Sequence, residues 1–69
     1  MNLISVDSRN IDAIGYNNST LYVQFNTGRI YAYHNVPRHL YEELMSASSH
    51  GEFLSDYIKK GGFKYSRVD

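Results

Sequence analysis

The sequence contains no cysteine, a single proline, and no apolar run approaching the roughly 20 residues that a membrane span needs. Without cysteine there is no disulfide and no thiolate zinc site, and the chain carries no redox preference of its own. The amino terminus, MNLISVDSRN, lacks the long apolar stretch of a signal peptide, so the expectation is a soluble, cytoplasmic protein. An excess of either charge is also missing. Seven Lys and Arg balance seven Asp and Glu, so the chain as a whole is no electrostatic binder of polyanions. No repeat, low-complexity stretch or linker divides it, and residues 1–69 read as one domain.

What the chain does have is aromatic side chains. A domain of this size buries only about 60% of its unfolded surface, so its core depends on residues that each bury a large area. Seven tyrosines and three phenylalanines supply them. Self-association is a second way to bury surface, and a monomer or weak homodimer is expected.

The clearest element is Leu21 to Tyr33, LYVQFNTGRIYAY, which reads as a β-hairpin. A two-residue turn at Thr27-Gly28 would force the β-branched Thr27 to positive φ. A three-residue loop avoids this: Asn26 and Thr27 form a type I turn and Gly28 takes the left-handed bulge position. Phe25 then faces Arg29, Val23 pairs with Tyr31 and Leu21 with Tyr33. Both tyrosines share the inward face of Leu21, Val23 and Phe25, whereas a slip by one residue would put Ile30 and Ala32 there.

Before the hairpin, Ile11 to Tyr16 forms a strand with Ile14 and Tyr16 on one face. Gly15 within it marks a bulge or a close backbone approach, and Asn17-Asn18-Ser19 turns the chain back. After the hairpin, Pro37 opens a helix from about Pro37 to Ala47, with Leu40, Tyr41, Leu44 and Met45 as its apolar stripe. A second short helix runs from Glu52 to Ile58, offering Phe53, Leu54, Tyr57 and Ile58 for burial, and Gly61-Gly62 ends it. Phe63 to Val68 reads equally as a last edge strand or as an extended tail packed by Phe63 and Tyr65. The fold class is α+β: a three-stranded antiparallel β-meander covered on one face by two short helices, with a short carboxyl-terminal edge strand as an optional addition.

Ser8-Arg9-Asn10-Ile11, Ile14-Gly15-Tyr16, Leu21-x-Val23-x-Phe25, Gly28, Tyr31-x-Tyr33, Val36-Pro37, Tyr41, Leu44, Gly51, Phe53 and Ile58 together resemble the KTSC domain. The resemblance spans about residues 5 to 68. That family comprises a module at the carboxyl end of some lysyl-tRNA synthetases and stand-alone small bacterial or phage proteins, with a Tyr-x-Tyr at its centre. Two positions depart from its pattern: Asn17 stands where an aspartate is usual and Ser55 where an asparagine is frequent. The resemblance implies RNA binding only through the synthetase context.

Three function classes are weighed against the residues. For nucleic acid, Arg29 at the hairpin tip, Arg38 at the first helix, and Lys59, Lys60, Lys64 and Arg67 near the carboxyl end are the candidates to neutralise phosphates. Tyr22, turned outward by the hairpin register, is the candidate to stack on an unpaired base. Solvated, fraying charge is the plainer reading of the basic end, and core packing the plainer reading of Tyr31 and Tyr33. For an enzyme, His34, His39 and His50 make a poor metal set without cysteine, and there is no nucleophile elbow, phosphate loop or carboxylate pair. A non-enzyme without cofactor or metal follows. The third class is a protein-interaction module, in which the edge of Ile11 to Tyr16 adds a partner strand; a phage-encoded relative would bind a host factor this way. If the basic residues share one face the nucleic-acid reading gains, and if they scatter it loses.

Overall fold

The computed structural model describes residues 2–69 and shows a five-stranded antiparallel sheet with one face packed against helices. The strands are β1 (Ile4–Ser5), β2 (Ile11–Asn17), β3 (Thr20–Phe25), β4 (Ile30–Tyr33) and β5 (Tyr65–Arg67), in that spatial order. Between β4 and β5 lie α1 (Arg38–Ser46) and α2 (His50–Phe53), and α2 continues directly into a π-helical turn over Leu54–Lys59.

The central hairpin has the register the loop chemistry implies. Leu21 pairs with Tyr33 and Val23 with Tyr31. The Phe25 N–H donates to the Arg29 carbonyl and the Gly28 N–H to the Phe25 carbonyl, both at 2.9 Å, and Gly28 sits at φ +92°. The β2–β3 connection is tighter: Asn18 and Ser19 both have positive φ, as two-residue turns matched to strand twist require.

A bulge between Ile11 and Ala13 explains how Ile11 and Ile14, three residues apart, both reach the core. Gly15 answers a different demand. A Cβ there would overlap the Asn2 carbonyl oxygen and crowd the Leu3 side chain. The close backbone approach is therefore real and the bulge lies elsewhere in the strand.

The core joins Ile11 and Ile14 of β2 and Leu21 and Val23 of β3 to Tyr33, Val36, Leu44 of α1, and Leu54 and Ile58 of the π turn. Val36 is fastened to the β2–β3 turn, its N–H donating to the Ser19 carbonyl at 2.8 Å and its carbonyl accepting from the Tyr16 hydroxyl at 2.6 Å. Both bonds seat α1 over the sheet.

Several expectations need correction. The sheet has five strands, not three. The optional last strand forms as β5, antiparallel to β4, with the His34 N–H bonded to the Lys64 carbonyl and the Val68 N–H to the Ile30 carbonyl. The unexpected strand is β1, two exposed residues too short for any alternation to register, paired with β2 at Ile4–Ile14 and Ser5–Ala13. It occupies the edge of β2 on which the strand-addition reading relied. The second helix starts two residues earlier than expected, where Ser49 caps it by accepting from the Glu52 N–H. Tyr57 and Tyr65, expected to pack inward, are exposed, because Tyr57 leaves the helix on its solvent side and β5 lies beyond the cover of the helices.

Candidate nucleic-acid interface

Strand alternation carries the helix-facing side of the sheet across Val23 and Tyr31 to Arg67, and across Leu21 and Tyr33 to Tyr65. The helices cover the β2–β3 part of this face. Toward β5 the rings emerge, and Phe25, Tyr31, Tyr33, Tyr65 and Lys59 line an open cleft of about 350 Å³. Tyr33 forms its floor at 4% exposure, whereas Tyr65 at its edge is 65% exposed. Phe25 and Tyr31 meet edge to face at 5.8 Å between centroids, Tyr31 and Tyr65 do so at 6.1 Å, and Tyr33 and Tyr65 are tilted at 5.7 Å. Burial pushes the Tyr33 hydroxyl above its ordinary pKa, and the neighbouring Tyr65 and Tyr31 push it further, so it remains a neutral donor.

The cation in this cleft comes from the π turn. There the repeating contact is i to i+5, and the Lys60 N–H accordingly donates to the Ser55 carbonyl at 3.2 Å. Lys59 is the last residue of this turn, and its Nζ lies 5.1 Å from the centre of the Phe25 ring.

The other basic candidates scatter. Arg29 joins Lys59 along a second depression at the hairpin tip. Arg67 stands beside Tyr31 in register, with its Nε donating to Asp69 at 3.0 Å. Lys60 turns to Asp56 at 3.8 Å, and Lys64 is exposed just before β5. Arg38 lies at the opposite end of the sheet, 5.8 Å from the Tyr16 ring that itself stacks on Tyr41, and pairs with Glu42 at 3.3 Å. Tyr22 pairs with Gly15 and Ala32, which puts it half-buried on the face away from the cleft. Of the seven residues singled out from sequence, Lys59 lines the aromatic cleft and Arg29 the depression next to it, and the structure brings these two together.

The cleft's own rings were not among those candidates. Tyr31 and Tyr33 read as core because β5 was optional. With β5 in place, the alternation Tyr65, Arg67 would have added an aromatic and a cation to that face. A polar groove of about 520 Å³ lies elsewhere, between Asp7–Asn10 and Ser48–Ser55. His50 sits in it with Nδ1 hydrogen-bonded to the Leu44 carbonyl at 2.8 Å, and neither Phe nor Tyr lines it. Among the described residues no three His, Cys, Asp or Glu side chains gather as a metal set would.

The family model described as "KTSC domain" matches residues 7–65. The chain belongs to the KTSC domain family. A crystal structure of a KTSC domain protein from Yersinia pestis superposes with a TM-score of 0.92 at 34% identity, over 99% of this chain and 97% of that one. A lysine–tRNA ligase from Nostoc is 43% identical over 49 residues, which is 71% of this chain and 9% of the ligase. An uncharacterised protein of Stutzerimonas stutzeri is 28% identical over the full length of both chains. This KTSC domain therefore matches a small module within the ligase and stand-alone proteins of its own size, and no helix among its described residues is long and apolar enough to cross a membrane.

Proposed function

We propose that this KTSC domain is a small non-enzymatic module of the cytoplasm that binds single-stranded nucleic acid, RNA foremost, through the aromatic cleft between β4, β5 and the π turn. The observation that carries the reading is Lys59 over Phe25 at the mouth of a cleft formed otherwise by three tyrosines. An unpaired base stacks against exposed Tyr65 and the half-buried Tyr31, and sequence-independent stacking of this kind contributes about 1–3 kcal/mol per base. Lys59, with Arg29 beside it, neutralises the phosphates that flank the base. A duplex does not serve, because its bases are already stacked on each other. The similarity to a segment of lysine–tRNA ligases supports an RNA ligand.

The test is fluorescence anisotropy with a labelled unstructured oligonucleotide, its duplex and a tRNA, across a salt series. Two phosphate contacts give a slope of about 1.4 in log affinity against log salt. Lys59→Ala lowers that slope by about 0.7, while Lys60→Ala leaves it unchanged because Lys60 faces Asp56. Absence of binding to every probe at low salt overturns the reading and turns attention to protein partners.

A further inference from the structure

Antiparallel pairing sends the backbone groups of successive residues to opposite edges of a strand. Where β5 meets β4, the His34 N–H donates to the Lys64 carbonyl at 2.8 Å and the Val68 N–H to the Ile30 carbonyl at 2.9 Å, with Ser66 opposite Ala32 between them. Lys64, Ser66 and Val68 therefore spend their backbone groups on β4. Tyr65 and Arg67 direct both N–H and C=O the other way, where the sheet ends. Such a row of unpaired groups is a template for another strand. The opposite edge offers less. The Val6 N–H donates to the Asp12 carbonyl and Ile4 pairs with Ile14, so within β1 Ser5 alone faces outward.

We infer that the β5 edge pairs with the same edge of a second copy, joining two five-stranded sheets into one, with Ser66 opposite Ser66 at the two-fold axis. The register follows by elimination, since outward residues must meet outward residues. One alignment sets Arg67 against Arg67, like charges directly opposite, which is destabilising. Another sets Tyr65 against Tyr65 and leaves Arg67 opposite Phe63, which lies before the strand. The remaining one places Tyr65 of each copy opposite Arg67 of the other and satisfies every outward N–H and C=O of β5. Its side chains are complementary as well. Tyr65 and Arg67 share the cleft face, and directly opposed Cβ atoms lie about 4.5–5.5 Å apart, which brings a guanidinium onto a ring. Asp69 engages Nε of Arg67, so the terminal nitrogens are left to reach across the seam. A second copy is the occupant because one short segment supplies both halves of this match, cation and ring, in both directions. β5 is exposed along its whole length, so the approach is open. The two aromatic clefts then face the same side, with Tyr31, Arg67, and Tyr65 and Tyr33 of the second copy in one row across the seam.

The chain contains no cysteine, so single-cysteine crosslinking reads this pairing cleanly. Opposed residues that exchange no hydrogen bonds have Cα atoms about 4.5 Å apart, within disulfide range, and Ser66 faces its own copy in this way. Under mild oxidation Ser66→Cys should form linked dimer about tenfold faster than either Tyr65→Cys, which is offset from its own copy, or Ser46→Cys at the exposed end of α1. So small an interface is weak, and sedimentation equilibrium of the unaltered chain should show the apparent mass rising from one chain toward two between about 10 µM and 1 mM. Arg67→Pro removes an outward donor while sparing the β4 ladder, and should hold the mass at one chain, with thermal melting checking that it folds. Crosslinking that is fastest in Tyr65→Cys, or equal in all three variants, overturns the pairing, as does the mass of one chain at about 1 mM. None of these readouts uses nucleic acid, so the pairing and the reading of the cleft fail separately.

Discussion

Tyr33, Tyr31 and Tyr65 lie along one face of two adjacent strands, and their burial falls in that order, which ranks the cost of removing each ring. Tyr33 is 4% exposed and belongs to the core cluster. Truncating a fully buried large aromatic to alanine costs about 3 to 5 kcal/mol, part of it from the cavity left behind. A domain of this size has a total stability of about 3 to 10 kcal/mol. Tyr33→Ala therefore removes about 30% or more of the stability, enough to leave a large unfolded fraction at moderate temperature. Tyr31 is half-buried and should cost about 2 kcal/mol, less than the full range for a core ring. Tyr65 is 65% exposed and should cost less than about 1 kcal/mol. Tyr33→Phe separates ring from hydroxyl: no hydrogen bond of that hydroxyl to a described residue exists, so the change should cost less than about 1 kcal/mol. Urea denaturation followed by circular dichroism reads all four, with the m-value checked for constancy. A Tyr65→Ala protein destabilised as much as Tyr33→Ala would refute the division of this face into floor and rim. So would a Tyr33→Ala protein with the parent midpoint.

Two further outcomes follow from the ends of the central strands. Gly28 stands at φ +92° with open space where a Cβ would go, so Gly28→Ala should cost about 1 kcal/mol through backbone strain alone, and Thr27→Ala much less; chemical denaturation giving the reverse order would overturn the turn assignment. The Asp69 carboxylate accepts from the Ile30 N–H at 3.3 Å and from Arg67 at 3.0 Å. Desolvation works to raise its pKa, but the Ile30 and Arg67 bonds outweigh it and hold the group below the ordinary aspartate value. Because the folded value is depressed, the clasp is complete above the unfolded pKa and is lost as pH falls through the lower, folded one. The Ile30 amide proton resonance should move in that acidic window and stay still in Asp69→Asn; a midpoint above the ordinary aspartate value would contradict the clasp.

The hairpin was legible because three local signals agree in it: alternation, a glycine where the loop demands left-handed backbone, and a β-branched Thr27 that excludes the shorter turn. The helix over Leu40 to Met45 was legible from periodicity for the same reason. β1 was not, since two exposed residues carry no pattern and are a strand only because β2 presents an unpaired edge. The site was legible in fragments. Charge counting singled out Arg29 and Lys59, which line the cleft and its neighbouring depression, on the same terms as Arg38 at the far end of the sheet and Lys60 beside Asp56. Register reasoning turned Tyr31 and Tyr33 inward correctly, yet inward is not the same as covered when the helices stop short of the edge.

The adjacent lysines show where the missing information lay. An ordinary α-helical continuation of α2 would stack Ile58 beneath Leu54 and direct Lys59 a further step around the axis, away from the sheet. Ile58 and Leu54 are both fully buried, and a lysine one step beyond Ile58 would read as solvated charge near a helix end. The π turn widens the circuit, which brings Lys59 back toward the side of Leu54 and within reach of Phe25 while Ile58 still reaches the core. Lys60, the next residue, falls to the side of Asp56. One inserted backbone step thus sends two chemically identical neighbours to opposite fates, one across the Phe25 ring and one into a surface ion pair. No property of either side chain distinguishes them. What distinguishes them is the packing of Leu54 and Ile58 under the sheet, a tertiary cause for the position of the charge on which the proposed function depends.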